Sequence, residues 1–251
     1  MQKTFSKDKM SKILITICAR GGSKGVKNKN IRLINGIPLI NFTIHIAKNF
    51  IEKKDALISI STDSDTIKKV AEDAGLFTNY KRPKKFSGDN SGKVETINDL
   101  LLYEEKKRKV KFDYILDLDV SSPLRSLDDL EKSFQFFKKI KDANNLFSVS
   151  EANKNPYFNM VEINDKGFSI LCKKPKKEIL SRQISNIVYE LNASFYWYRR
   201  SFFEEKFNSV TTDNSISYNL NHICFDIDKE IDFLFMDYLI SNNLLDFNFV
   251  K

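Results

Sequence analysis

Residues 13–25 read Ile13-Leu14-Ile15-Thr16-Ile17-Cys18-Ala19-Arg20-Gly21-Gly22-Ser23-Lys24-Gly25. The run from Ile13 to Ala19 is short, apolar and rich in β-branched residues. That is the profile of a strand covered on both faces of a parallel sheet and stopped by a glycine-rich loop. Downstream, helical spacing of Leu39, Phe42, Ile46 and Phe50 predicts a helix over 38–50 with Pro38 near its start. A second strand is expected over 57–61, then a helix from Ser64-Asp65 to about Ala74 with Gly75 as its stop. An amphipathic helix over 95–109, a strand over 114–120, a helix capped by Ser126 and running to about 140, and a strand over 146–150 continue the alternation. Strands separated by helices imply an α/β fold: a three-layer, Rossmann-like, mostly parallel sheet with helices on both faces.

From Glu151 the pattern changes. Residues 158–163 and 192–198 read as strands around a lysine-rich connection at 173–177. The organisation expected is a nucleotide-binding α/β domain over 1–150 and 201–251, interrupted by a β-rich arm over 151–200. A short strand over 223–227 and a helix over 230–240 close the chain. The apolar content of the arm (Tyr157, Phe158, Met160, Phe168, Ile170, Leu171) exceeds what a small excursion hides alone, which motivates a dimer.

The chain has 251 residues, with 41 Lys+Arg against 33 Asp+Glu and a formal charge of +8. At 41% hydrophobic and 29% charged residues it is neither disordered nor fibrous. No apolar run approaches the roughly 20 residues of a membrane span. Met1 to Lys12 carries no apolar core of a secretory signal. Three scattered cysteines, Cys18, Cys172 and Cys224, argue against a disulfide framework or a cysteine zinc site and favour the cytoplasm. The basic excess suggests an anionic partner, whether nucleic acid or a phosphorylated small molecule, or simply a soluble surface.

In open α/β sheets ligands bind beyond the carboxyl ends of the strands. After the first strand, three glycines let backbone amides approach an anion, and Arg20, Lys24, Lys27 and Lys29 add positive charge. The loop is neither G-x-x-x-x-G-K-[ST] nor G-x-G-x-x-G, so an ATPase or nicotinamide enzyme is not supported. Arg20, Ser23, Lys24, Gly25, Lys29 and Asn30 together resemble the opening motif of the acylneuraminate cytidylyltransferases, the CMP-sialic acid synthetases and their relatives. Further segments resemble that family in order: Ser61-Thr62-Asp63, Arg82-Pro83 with Asp89, and Ser122-Pro123-Leu124-Arg125. Arg182-Gln183 with Tyr189 and Asn192, then Phe225-Asp226-Ile227-Asp228, complete the set across residues 12–233.

The resemblance implies transfer of CMP from CTP to the anomeric hydroxyl of a nine-carbon 2-keto acid sugar, with release of pyrophosphate. It implies Arg20, Lys24 and Asp228 as catalytic residues. Ala19, Arg20, Gly21, Gly22, Ser23, Lys24, Lys29, Asn30, Arg82 and Asp89 would bind the nucleotide. Asp119, Ser122, Arg125, Arg182, Gln183 and Asn192 would face the sugar. Asp226 and Asp228 would hold Mg²⁺ or another divalent cation, because i and i+2 on a strand point the same way and Mg²⁺ suits one or two carboxylates plus phosphates. The chain departs from the sialic acid branch where that branch reads Gln-Pro-Thr-Ser: here stand Asp119-Val120-Ser121-Ser122. With its Ile17-to-Gly22 lead-in the chain looks most like bacterial branches acting on legionaminic-type sugars. A CMP-octulosonate synthetase and a basic nucleic-acid-binding module are the alternatives. Against the second, no motif that reads nucleic acid is present. The expected partners are thus CTP, an acidic sugar and a second copy of the chain, not nucleic acid or a membrane. His45 is expected to be a structural or surface residue, and His222, closer to the candidate site, is not expected to be catalytic. Tyr196, Trp197 and Tyr198 are expected in a core or dimer contact, and Cys18 as a small buried hydrophobe.

Overall fold

The computed structural model describes residues 11–22, 25–52, 54–88, 91–175 and 186–249. Ser23, Lys24, Asp89, Arg182 and Gln183 lie outside them.

The strands are β1 (Ile13–Cys18), β2 (Leu33–Ile34), β3 (Ile37–Pro38), β4 (Ala56–Ser61), β5 (Tyr114–Leu118), β6 (Asn145–Glu151), β7 (Val161–Ile163), β8 (Ser169–Leu171), β9 (Tyr189–Arg199) and β10 (Ser215–Asn219). The α-helices are α1 (Leu39–Ile51), α2 (Asp65–Asp73), α3 (Lys93–Arg108), α4 (Leu127–Lys139), α5 (Arg200–Glu204) and α6 (Glu230–Ser241). The central sheet runs β10-β6-β9-β5-β1-β4. β9 is antiparallel to both its neighbours, and the other pairs are parallel.

β1 shows why the sheet must be covered twice. Ile13, Ile15 and Ile17 enter one core with residues of α1, α2, α4 and α6, while Leu14 enters a second core with residues of α3 and α5. β9 splits the same way: Phe195 and Trp197 to the first core, Tyr196 and Tyr198 to the second. The aromatic run is therefore core. Trp197 stacks on Phe134 with ring centroids 4.4 Å apart and donates from Nε1 to Ser133 Oγ at 3.1 Å.

The helix signals hold where they rest on caps. Ser64 Oγ accepts from the Ile67 amide at the start of α2, and Gly75, at φ +73°, ends that helix in a left-handed turn. Ser126 and Asp129 form a reciprocal capping box on α4. α3 begins at Lys93, two residues before the expected Glu95, with Gly92 as its N-cap.

Two expectations are corrected. Residues 192–198 do not belong to an arm: β9 sits between β5 and β6, and the excursion that leaves the sheet after Glu151 has rejoined it at Tyr189. What projects is the β7–β8 hairpin, whose Val161, Ile163, Phe168 and Ile170 are exposed. Residues 223–227 form no strand. Ile227 is buried, and Ile223, Cys224 and Phe225 all pack on the first core, so the segment is covered without alternation and without pairing in the sheet. Its ties run to the loop after β5, through Ile227 N to the Ser121 carbonyl at 2.8 Å. The last strand is instead β10, a half-exposed edge whose Ser-Ile-Ser-Tyr-Asn is a weak apolar signal.

Candidate active site

The carboxyl ends of β4, β1 and β5 lie side by side, with Cys18 opposite Ser61 and Ile17 opposite Leu118. Beyond them opens a cleft of about 430 Å³. Arg20, Lys29 and Arg82 line it on the β1 and β4 side, and Lys93 and Asp119 on the β5 side.

The loop after β1 is fixed at several points. Ala19 N donates to the Ser61 carbonyl at 2.9 Å, and Gly21 N to Asp63 Oδ1 at 2.8 Å. Asn30 is buried and its amide donates to the Arg20 carbonyl at 2.9 Å, so that donor holds the loop rather than reading a base. Lys29 reaches across to the far segment, donating to the Ile227 carbonyl at 2.5 Å and pairing with Asp228 at 3.4 Å. Gly25 lies against the same segment: a Cβ there would sit 1.9 Å from the Asp228 carbonyl oxygen. The basic loop and the 226–228 segment thus meet at one cleft.

The acidic pair is asymmetric, which corrects the same-face picture. With no strand at 223–227, Asp226 turns inward and Asp228 outward. Asp226 Oδ1 is buried without a hydrogen-bond partner, whereas the Asp228 side chain is 73% exposed. Burial, then the neighbouring Asp119 and Asp228, pushes the Asp226 acid up to about 6. A desolvated carboxylate among like charges is a seat for a cation. No cluster of three or more His, Cys, Asp or Glu suited to a metal exists among the described residues. The residues present fit an ion that takes one or two carboxylates and completes its shell with phosphate oxygens and water, as Mg²⁺ does.

On the β5 side, Lys93 Nζ bridges two carboxylates, Asp117 Oδ2 at 3.1 Å and Asp119 Oδ2 at 2.7 Å. It also faces the Tyr196 ring, 4.5 Å from its centroid. Asp117 is fully buried and its Oδ1 accepts from Thr16 Oγ1 at 2.7 Å. Burial raises the Asp119 acid, but Lys93 and then Ser121 outweigh it and hold the group at about 2. Burial lowers the Lys93 ammonium, and Asp119 and Asp117 more than reverse that, leaving it well above its ordinary value. Cys18 lines the cleft as a thiol that burial, then Asp117, pushes up to about 12, so it is no nucleophile.

Sequence reading overlooked Lys93, Asp117 and Thr16. Lys93 was hidden by the misplaced start of α3. The other two left a signal: each is the single polar side chain interrupting an apolar stretch, and they sit opposite one another in the β1–β5 register.

Ser122, Arg125 and Asn192, expected at the sugar, are buried behind the cleft wall. Ser122 Oγ donates to the Asn192 carbonyl at 2.6 Å, and the Asn192 carboxamide bonds Ser148 and Ser150 on β6. Arg125 is fully buried beneath the turn after β5, where Nη2 binds the carbonyls of Asp119 and Ser122. Burial pulls its guanidinium down to about 10. Arg82, also buried, donates from Nε to Ser61 Oγ and from Nη2 to the Ser61 carbonyl, both at 2.9 Å, which anchors the end of β4. His222 bonds Asp129 at 2.9 Å and stacks on Phe247, contacts that tie it into the fold.

Comparison with known proteins agrees with this geometry. A family profile described as "Cytidylyltransferase" matches residues 14–222. The chain belongs to the cytidylyltransferase family. A Campylobacter coli relative described as "Post-translational flagellin modification protein B" is 40% identical over 94% of this cytidylyltransferase and 98% of its own length. The "CMP-N,N'-diacetyllegionaminic acid synthase" of Campylobacter jejuni is 39% identical over 92% of this chain and 96% of its own. A solved CMP:2-keto-3-deoxy-manno-octonic acid synthetase, complexed with CTP, superposes with a TM-score of 0.66 over 93% of this chain and all of its own. At 15% identity that likeness shows the shared fold alone. Among the described residues no helix is long and apolar enough to cross a membrane.

Proposed function

We propose that this cytidylyltransferase moves CMP from CTP onto the anomeric hydroxyl of a nine-carbon acidic sugar, a nonulosonate, and that the sugar is of the legionaminic type. The observation that carries the reading is the apposition of the 20–30 loop and the 226–228 segment in one cleft at the strand ends, joined through Lys29 and Gly25. Relatives named for CMP-diacetyllegionaminate synthesis match at 39% and 30% identity over nearly the whole chain.

In this reading the anomeric oxygen bonds to the α-phosphorus as the bond to the bridging oxygen breaks, pyrophosphate leaves and the hydroxyl proton passes to solvent water. Such displacements are catalysed mainly by positioning and charge. Arg20, Lys24 and Lys29 offset the triphosphate charge, with Gly21, Gly22 and Ser23 orienting its oxygens. Arg82 and Asp89 are assigned to nucleotide binding, and Arg182 and Gln183 to sugar binding. Ser122, Arg125 and Asn192 act as positioning residues, since their polar atoms are turned to protein. Asp226 and Asp228 would hold Mg²⁺, which when bound offsets charge on the α-phosphate. Asp119, held at about 2, accepts hydrogen bonds but is too weak a base to take the hydroxyl proton.

The test is a panel: CTP and Mg²⁺ with sialic, legionaminic and pseudaminic acids and the eight-carbon octulosonate, following pyrophosphate. Turnover is expected with a nonulosonate and highest with the legionaminic type; turnover with the octulosonate alone would reject the reading.

The apolar β7–β8 hairpin supports the further proposal of a homodimer formed through it. Light scattering at micromolar concentration is expected to give twice the chain mass, and a monomer would overturn that assembly. The three free thiols suit a cytoplasmic setting.

A further inference from the structure

The 223–228 segment carries both carboxylates of the candidate cation site and pairs with no strand. Its ties to the loop after β5 are short in number: the Phe225 carbonyl accepts from Ser122 Oγ at 3.3 Å, and Ile227 N donates to the Ser121 carbonyl at 2.8 Å. At the head of the segment stands His222. Its Nε2 is 2.9 Å from Asp129 Oδ2 in the first turn of α4, and its Nδ1 is 3.0 Å from the Ile223 carbonyl oxygen. The ring stacks on Phe247 of the C-terminal segment with centroids 3.8 Å apart, and Phe249 beyond it packs on Phe42 of α1 at 5.3 Å.

Both ring nitrogens therefore face oxygens that only accept. Burial raises the Asp129 acid, but His222 and then Ser126 outweigh it and hold the group below its ordinary value, so it is a carboxylate. A neutral imidazole has one N–H and one lone pair; it satisfies one of the two oxygens and sets a lone pair against the other. An imidazolium donates to both. Burial lowers the His222 imidazolium, and the Asp129 bond, then the Ile223 carbonyl, more than reverse that, leaving it above its ordinary value. The charged groups that act on it are the carboxylates of Asp129 on α4 and Asp246 on the C-terminal segment, and the Phe247 face adds a cation–π contact.

We propose that His222 is a positioning residue of the cation site: as an imidazolium backed by Phe247, it ties the head of the 223–228 segment to α4 and so sets where Asp226 and Asp228 stand. The inference rests on the assignment of those two carboxylates to a divalent cation in the reading above. Asp129 is a firm anchor, because its Oδ2 also accepts from the amide and hydroxyl of Ser126, which ends the same loop that holds the segment at Ser121 and Ser122. Loss of the ring proton breaks one of the two bonds. The tie is thus complete at lower pH and is lost as pH rises through the titration of His222.

The chain has two histidines, so the ring signals of His222 are separable by NMR, with His222→Gln as the assignment control. The experiment follows that titration between about pH 7 and 9, a window in which Asp226, at about 6, is already ionised. In parallel it measures the Mg²⁺ concentration for half-maximal pyrophosphate release at saturating CTP and nonulosonate. The wild type is expected to need about threefold to thirtyfold more Mg²⁺ once His222 has lost its proton. Glutamine brings one donor group where the imidazolium has two. His222→Gln is expected to need, at about pH 7, the Mg²⁺ that the wild type needs at about pH 9, and to show no dependence across the window. Its kcat at saturating Mg²⁺ is expected to stay within about threefold of wild type, because a bound ion draws the carboxylates back into place. A His222 ring that is neutral at about pH 7, or a wild-type Mg²⁺ requirement that is flat across its titration, would overturn the proposal, and both measurements stand even if the variant does not fold. A folded variant that keeps the wild-type profile, or one that loses kcat alone, overturns it as well. Should the wild type turn over without any divalent cation, the cation-site assignment itself fails, and this inference with it.

Discussion

Gly25→Ala is expected to lower kcat/KM by at least about a hundredfold while leaving the fold intact. The added methyl would stand 1.9 Å from the Asp228 carbonyl oxygen. Its neighbour is backbone, so no side-chain tip can swing aside; either the loop after β1 or the 226–228 segment must retreat by about 1 Å, a displacement that alone can cost on the order of a hundredfold in rate. Stability should change little, because Gly25 is exposed and belongs to neither core. The effect should appear in turnover and in CTP affinity measured by calorimetry, with the thermal unfolding midpoint close to wild type. Wild-type turnover in this variant would mean that the loop and the acidic segment need not touch during the reaction, and the assignment of one shared cleft would fall.

The same contact shows what could be read from residues alone. Apart from the short β2–β3 hairpin, the order of strands and helices from Ile13 to Glu151 was legible because buried parallel strands are continuous apolar runs and because Ser64, Gly75 and Ser126 punctuate the helices chemically. The motif residues Arg20, Gly25, Lys29 and Asn30 were legible as a group, but their individual tasks were not. Asn30 spends its amide on the Arg20 carbonyl, and Lys29 spends part of its charge on the Ile227 carbonyl and Asp228. Such partners are distant in the chain and carry no local signal. Residues 223–227 mislead for a related reason. An apolar run demands only a covered chain; hydrogen bonds to a neighbouring strand are a separate condition, and here the partner is the loop after β5, through Ile227 N and the Ser121 carbonyl. β9 was legible as a strand but not as the antiparallel member between β5 and β6, because its aromatic run would suit any doubly covered position.

Lys93 exposes a further limit. A lysine at a helix start reads as a solvated charge, and only the burial of Asp117 and Thr16 on the strands beneath turns it into a fixed element of the cleft. The cleft is consequently divided in charge: cationic over β1 and β4, where a triphosphate belongs, and anionic over β5 and the 226–228 segment.

That division makes the second large effect one of opposite signs. Asp226→Asn is expected to abolish most of the turnover, by about a hundredfold or more, and at the same time to stabilise the protein in the absence of divalent cations. The ionised Asp226 is held against burial and against Asp119 and Asp228, which moves its acid from 3.8 to about 6. A displacement of that size destabilises the ionised folded state by about 3 kcal/mol. The sign follows from linkage. Between about pH 4 and 6 the folded state holds a proton that the unfolded state has lost, so the stability of the wild type falls as pH rises through that window and levels off above it. The asparagine variant has no such slope from this site. Its advantage should therefore be greatest above pH 6 and vanish below about pH 4. Added Mg²⁺ should raise the unfolding midpoint of the wild type more than that of the variant, since an ion that binds only the folded state stabilises by mass action. Urea unfolding at several pH values, with chelator and then with Mg²⁺, separates these contributions. A variant less stable than wild type at pH 7.5 in chelator, or one that keeps its turnover, would remove Asp226 from the cation site and leave its buried, unpartnered oxygen without a purpose.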